Sequence, residues 1–286
     1  MKSVVVTGAS TGIGWGCVKV LIAAGFRVFG SVRRQEDAER LRKAFGPNCV
    51  PLLFDVTDAA AVEAAAGQVE TMMAGETLSG LVNNAGIAVA GPLLHLRPQE
   101  LAHQLDVNLI GPLVVTQAFA PLLGTDRSRK GSPGRIVMIS SISGRNGFPF
   151  LGAYCASKFA LEGLSEALRR ELMLFGIDVV VIGPGAVATP IWDKAEQADI
   201  TPFLDTPYAA AIARMKDLMV SQGRGGLPPE RLGRVVLTAL TARRPKTRYA
   251  VNANPLVALI GDSLPRRMVD AIIARQLGFG KRPAPR

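Results

Sequence analysis

The chain has 286 residues, 48% hydrophobic and 20% charged, which excludes a collagen-like or disordered polymer and suffices for a core that needs no disulfide or metal staple. Its three cysteines, Cys17, Cys49 and Cys155, are too few and odd in number for a disulfide framework, so a reducing, cytoplasmic location is expected. The formal net charge is +10, and from Arg243 to Arg286 ten Lys or Arg oppose two Asp.

A basic tail can mark a nucleic-acid or anionic-membrane partner. This one lacks a nucleic-acid motif and interleaved aromatics, so it reads as a solvated face that attracts an anionic cofactor. No nucleic-acid partner is expected. A peripheral membrane contact would use Arg266, Arg267 and Arg275. No stretch reaches the roughly 18 apolar residues of a membrane helix. The longest candidate, Leu109 to Gly124, is interrupted by Pro112, Gln117 and Pro121.

Taken in chain order, apolar β-rich runs alternate with helical patterns. Ser3–Thr7 predicts a strand rather than a signal peptide, because its apolar run is short and ends in glycines. A helix follows over Gly12–Ala24, a strand over Arg27–Val32 and a polar helix over Gln35–Phe45. Val50–Phe54 is a strand, Ala59–Met73 an Ala-rich helix, Gly80–Asn83 a strand and Gln99–Leu123 a long helix. Arg135–Ser140, Tyr154–Phe175 and Ile177–Ile182 continue as strand, helix and strand. This order predicts an α/β fold: a doubly wound parallel sheet of Rossmann type, with ligands at the carboxyl ends of the strands. Val187–Thr206 reads as loop. Helical patterns return at Tyr208–Ser221, Pro229–Thr241 and Pro265–Gln276, with a last strand at Arg248–Val251 and a frayed tail at Lys281–Arg286. The expected division is a dinucleotide-binding and catalytic domain over 1–253, with a substrate lid at about 187–225, and a basic helical extension over 254–286 packed on it.

The first chemical motif is Thr7-Gly8-Ala9-Ser10-Thr11-Gly12-Ile13-Gly14, between a predicted strand and helix. Its glycines permit a tight turn and let backbone N–H groups approach a pyrophosphate at the helix N-terminus. Alone, such a turn is an ordinary strand-to-helix connection. The second strand ends in Gly30-Ser31-Val32-Arg33-Arg34, without the acid that would accept ribose hydroxyls. Two guanidiniums there favour a 2′-phosphate and hence NADP(H). Asp55, followed by Val56, ends the third strand and suits an adenine amino group; Asn83-Asn84-Ala85-Gly86 ends the fourth, beside an adenosine ribose.

Further on, Ser141 follows the fifth strand, and Tyr154-Cys155-Ala156-Ser157-Lys158 opens the next helix. The i, i+4 spacing places Tyr154 and Lys158 on one helical face. A nearby ammonium would lower the phenol pKa from its ordinary value of about 10, making Tyr154 an acid/base. Ser141 would hold the substrate oxygen. Cys155 has no histidine placed to activate it and reads as a small buried thiol. His95 and His103 lack further ligands at metal spacing, so no metal site is expected.

Together these residues resemble the short-chain dehydrogenase/reductase family, firmly over Ser3 to Trp192 and loosely thereafter. The resemblance implies Tyr154 as acid/base, Lys158 as its partner and a ligand of the nicotinamide ribose, and Ser141 as the group that polarises substrate. It implies that Asn108 holds a proton-relay water. It places Pro184, Gly185, Val187 and Thr189 at the nicotinamide, and Arg33 with Ser10 or Thr11 at the phosphate. Within the family, Tyr154 to Leu164 is similar to the 17β-hydroxysteroid and retinol dehydrogenases, which implies a hydrophobic alcohol or ketone; the family resemblance also implies a homodimer or homotetramer packed through Gln99–Leu123 and Tyr154–Phe175. Leu94, Ser143, Phe148, Phe150, Ala186 and Trp192 are the candidate pocket lining. Competing readings are a β-ketoacyl thioester reductase and a non-catalytic NADPH sensor.

Overall fold

The computed structural model describes residues 1–253 and 264–279. The tail expected at Lys281–Arg286 and the first part of the extension lie outside the described residues. Seven strands form one parallel sheet in the order β3-β2-β1-β4-β5-β6-β7. They are β1 (Ser3–Val6), β2 (Arg27–Val32), β3 (Cys49–Leu53), β4 (Gly80–Asn83), β5 (Arg135–Ile139), β6 (Asp178–Pro184) and β7 (Arg248–Val251). The strands are Val- and Ile-rich because helices cover both faces. On one face α3 (Ala59–Met73), α5 (Gly111–Ala120) and α6 (Gly152–Glu171) enclose a core with Phe29, Phe119, Leu81 and Ile136. On the other, α1 (Gly12–Ala23), α2 (Gln35–Phe45) and α9 (Pro229–Thr241) pack around Val4, Leu21, Val137 and Leu232.

The strand order reverses direction between β3 and β4, on either side of β1. The crevice of a doubly wound sheet opens at such a switch point, and both the glycine turn after β1 and Asn84 to Gly86 after β4 reach it.

Two segments differ from the sequence expectation. The helix expected over Gln99–Leu123 is interrupted: α4 (Pro98–Leu105) passes through a π-turn at Asp106–Ile110 into α5, and a second π-turn covers Pro121–Thr125. Pro112 has no N–H to give to the Asn108 carbonyl. Just before it, the Gly111 N–H bonds to Asp106, five residues back. The whole run Pro98–Thr125 is long and apolar enough to cross a membrane by length and composition, contrary to expectation, but half of its apolar 18-residue stretch is buried. Val115, Phe119 and Leu123 face the sheet at 0% exposure, which accounts for the apolar composition. The loop expected over Val187–Thr206 contains α7 (Ile191–Glu196) and a 3-10 turn at Thr201–Phe203.

The segment from Val187 to Leu227, including α7 and α8 (Ala209–Arg224), is pinched at its base. Ala188 N–H bonds to the Leu227 carbonyl at 2.9 Å, and Leu227 N–H to the Ala186 carbonyl at 3.0 Å. Finally α10 (Arg266–Leu277) leans on α8 through buried Leu277, whose carbonyl accepts from Arg214 at 3.2 Å.

Candidate active site

The glycine turn is held by β4. Thr7 Oγ1 accepts from the N–H groups of Asn84 at 2.9 Å and Ala85 at 3.0 Å, while Asn84 Nδ2 donates to the carbonyls of Thr7 and Gly8. Gly8 takes φ +65°, and a Cβ on Gly14 would collide with the Gly8 carbonyl. The turn therefore brings bare backbone to the start of α1. Thr11 caps α1 without a side-chain hydrogen bond, and the first turn, with Gly12, Ile13 and Gly14, carries no acidic residue. This cradle fits the pyrophosphate of a dinucleotide. Thr189 lies over Gly12, 3.2 Å from where a Cβ would stand. Gly185, after Pro184, bonds through N–H to the Val251 carbonyl at 2.9 Å, and Val187 is buried.

Basic residues converge beside the turn in a pattern the sequence reading missed. Arg33 is exposed and 3.5 Å from Asp55. Asp55 Oδ1 accepts from Thr57 N–H and Oγ1; although burial acts to raise its pKa, those hydrogen bonds and Arg33 hold it below the usual carboxylate range. Val56 is buried against Gly111. Arg34, expected at the phosphate, is instead bound by Glu36 at 2.7 Å and by buried Asp37 at 3.0 Å. Arg40 takes the place nearest the turn: it donates to the Ser10 carbonyl at 2.7 Å, pairs with Asp37 at 2.8 Å and lies over the Trp15 ring. The acids two and three residues after Arg34 were the available signal.

A second correction concerns the asparagine pair. Asn83 points into the core and donates to Thr116 at 3.0 Å, so Asn84, not Asn83, meets the glycine turn. Ala85 and Gly86 follow, and a Cβ on Gly86 would stand 3.2 Å from Asn108 Oδ1.

Tyr154, Ser141 and Lys158 come together at the carboxyl end of β5. Ser141 Oγ accepts from Ser143 N–H at 3.1 Å. Lys158, 5% exposed, donates to the Ile139 carbonyl at 2.8 Å and lies 5.8 Å from the centre of the Tyr154 ring. Asn108, in the π-turn and 1% exposed, accepts from Ile87 N–H and donates to the Ile87 carbonyl and to Ser157 Oγ at 3.1 Å. Ser157 Oγ in turn donates to the Tyr154 carbonyl at 2.7 Å. π-turns gather at functional sites.

The electrostatics differ from expectation. Burial pushes the Tyr154 phenol up, and a hydrogen bond with Ser141 only partly opposes it. Burial also holds the Lys158 amine down, to about 8, against a raising influence from Glu162. The protein alone therefore does not lower the phenol pKa. Desolvation outweighs the Ser141 hydrogen bond, and the Lys158 amine is turned toward the Ile139 carbonyl.

Phe148, Phe150 and Tyr154 join Tyr208, Ile212 and Met215 in an apolar cluster, so that the triad's tyrosine is part of it. Phe150 takes φ +64° and meets the rings of Tyr208 and Phe279 edge-on. A bulky residue in that region is strained, and such strain concentrates at functional sites. The other pocket candidates are placed differently. Leu94 is 83% exposed. Trp192 packs on Gly223 and donates to the Val187 carbonyl at 2.7 Å, tying α7 to α8 and to the end of the loop after β6. Ala186 backs onto Gly226. The buried Ser143 hydroxyl is engaged by the Cys155 thiol.

The short chain dehydrogenase family profile matches residues 2–200. A relative from Ornithobacterium rhinotracheale, NADPH-dependent 3-dehydrocapnine reductase, is 38% identical over 97% of this chain and 98% of its own. Human retinol dehydrogenase 5 is 36% identical over 94% of this chain and 87% of its own. A solved short-chain dehydrogenase from Streptomyces avermitilis superposes with a TM-score of 0.77 at 27% identity, covering 98% of both chains. With its parallel sheet, glycine turn and Ser-Tyr-Lys cluster, the chain belongs to the short-chain dehydrogenase/reductase family of oxidoreductases.

Proposed function

We propose that the chain is an NADP(H)-dependent oxidoreductase that interconverts a hydrophobic secondary alcohol and its ketone. The observation that carries the reading is the meeting of Tyr154, Ser141 and Lys158, with Tyr154 joining the apolar cluster of Phe148, Phe150, Tyr208 and Met215. When bound, NADP(H) supplies or accepts the hydride. The turn from Gly8 to Gly14 would hold its pyrophosphate, Asp55, Val56, Ala85 and Gly86 would line the adenosine, and Thr189, Pro184, Gly185 and Val187 would line the nicotinamide. Arg33 and Arg40 hold the 2′-phosphate, since Arg34 is occupied by its own helix. NADPH dependence in the name of the Ornithobacterium relative supports this choice of dinucleotide.

The residues divide the proton work. Ser141 donates to the substrate oxygen, and Tyr154 gives that oxygen its proton or removes it. Lys158 lies beside the phenol, and Asn108 with Ser157 ties the π-turn to the helix that carries both. The raised phenol pKa keeps Tyr154 protonated near neutral pH, which suits the direction of ketone reduction.

The buried, unpaired thiols of Cys17, Cys49 and Cys155 support a cytoplasmic location. Ile110 and Phe159, exposed beside α5 and on α6, support assembly into dimers or tetramers. The test is NADPH oxidation by purified protein against retinal, steroid ketones, 3-dehydrocapnine, aromatic ketones and β-ketoacyl thioesters, with NADH alongside. Turnover of a bulky apolar ketone with NADPH preference is expected. Turnover of thioesters alone would overturn the substrate class, and tight NADPH binding without any turnover would favour a sensor.

A further inference from the structure

Behind the triad lies a half-hidden ion pair that joins the last strand to the catalytic helix. Arg248 of β7 meets Glu162 of α6 with Nε 3.2 Å and 3.0 Å from the two carboxylate oxygens. Both side chains are only 16% exposed. The same guanidinium lies directly against Gly183 of β6, where a Cβ would collide with it, and reaches the Ser141 carbonyl at 3.4 Å. Glu162 stands four residues after Lys158, one turn along the same helical face. Gly144 leaves it room, since a Cβ there would lie 3.1 Å from Glu162 Oε1.

A pair so placed does more than join two elements. Glu162 is an anion near a buried ammonium, and it favours the charged form of Lys158. Arg248 cancels part of that anion. Among the described residues, the charged and titratable groups facing Lys158 are thus Tyr154 and Glu162 from α6 and, behind Glu162, Arg248 from β7. Arg135 and Asp178, the charged residues of β5 and β6, sit at the opposite end of the sheet and pair with each other at 3.5 Å. Arg145, after the Ser141–Gly144 turn, is exposed.

We propose that Glu162 and Arg248 are a positioning pair through which β7 governs the charge state of Lys158. Glu162 holds the proton on the amine, and Arg248 limits how strongly it does so while bracing the backbone of Ser141. The proposal rests on the assignment of Tyr154 and Lys158 as the proton machinery.

The test reads Lys158 directly. Full-length protein carrying 15N at lysine Nζ is titrated by NMR, with the Lys158 signal assigned by its loss in Lys158→Met. Glu162→Gln, nearly isosteric, should lower the midpoint, and Arg248→Met should raise it, each by at least about threefold in proton affinity. Arg248→Lys keeps the charge and should stay near wild type, which separates electrostatics from simple loss of packing. Midpoints that move together, or stay fixed in folded variants, overturn the proposal. Turnover of Tyr154→Phe is measured in parallel: undiminished turnover there would refute the assignment of the acid while leaving the Lys158 titration a valid test of the pair.

Discussion

The guanidinium of Arg40 reaches the carbonyl of Ser10, 2.7 Å away, across thirty residues of sequence, and so ties the face of α2 to the glycine turn. It is steadied from behind by Asp37 and from one side by the indole of Trp15. A guanidinium fixed at that turn is preorganised for phosphate, because little rotamer freedom remains to be lost on binding. Arg40→Gln should therefore weaken NADPH by about 10-fold or more, the order expected for one charge-assisted hydrogen bond. NADH, which lacks the 2′-phosphate, should be nearly unaffected. Dissociation constants for the two cofactors, measured by fluorescence, check this. Equal weakening would assign Arg40 to the shape of the turn alone.

Tyr154→Phe removes one oxygen from a half-buried ring and leaves the glycine turn untouched. Turnover should fall by about 10²–10⁴-fold, the usual worth of a positioned acid. NADPH affinity should change little. Steady-state kinetics and a binding titration on the same preparation decide it.

Lys158 makes a statement about stability that runs against its proposed role in turnover. Burial holds its amine at about 8, against about 10.4 in an unfolded chain. Between those values the unfolded chain binds more protons, so folding stability rises with pH through that window. Below about 8 the folded protein carries the full penalty of a buried ammonium. Lys158→Met should raise Tm at pH 7, by about 2–4 °C for each kcal/mol of penalty removed, while turnover is lost. The gain should shrink as pH approaches 10. Calorimetry at both pH values measures it; a lower Tm at pH 7 would show that the bond to Ile139 outweighs desolvation.

Thr7 is 1% exposed, and its hydroxyl accepts from two backbone N–H groups. Thr7→Val keeps the shape and removes the acceptor. Two amides of the β4 end then lose their partner, which should cost roughly 1–3 kcal/mol. Urea denaturation would record this as a lower midpoint at unchanged slope. NADPH binding should weaken as well, because Asn84 and the glycine turn share that anchor.

What the sequence could and could not reveal follows the range of each interaction. The glycine turn, the Tyr154–Lys158 spacing and the alternation of strands with helices are local patterns, and periodicity reads local patterns well. Arg34 is read from its adjacency to a strand end, whereas its pairing with Glu36 and Asp37 follows from its acidic neighbours. The asparagine pair was decided by strand parity: successive side chains leave opposite faces, so Asn83 turns to Thr116 and Asn84 to the turn. Trp192 and the Glu162–Arg248 pair depend on partners 31 and 86 residues distant. No window along the chain contains them.

The pinch between Ala186–Ala188 and Leu227 carries a consequence for how such an enzyme diversifies. Because two hydrogen bonds fix the base of the segment, its interior is a closed ring mounted on the sheet. Loop-closure entropy grows only slowly with length. Residues between the clamps can thus be lengthened, shortened or exchanged with little strain on the strands that hold the dinucleotide. New substrate ranges would then arise by replacing this ring as a cassette, with Tyr154, Lys158 and the glycine turn inherited intact.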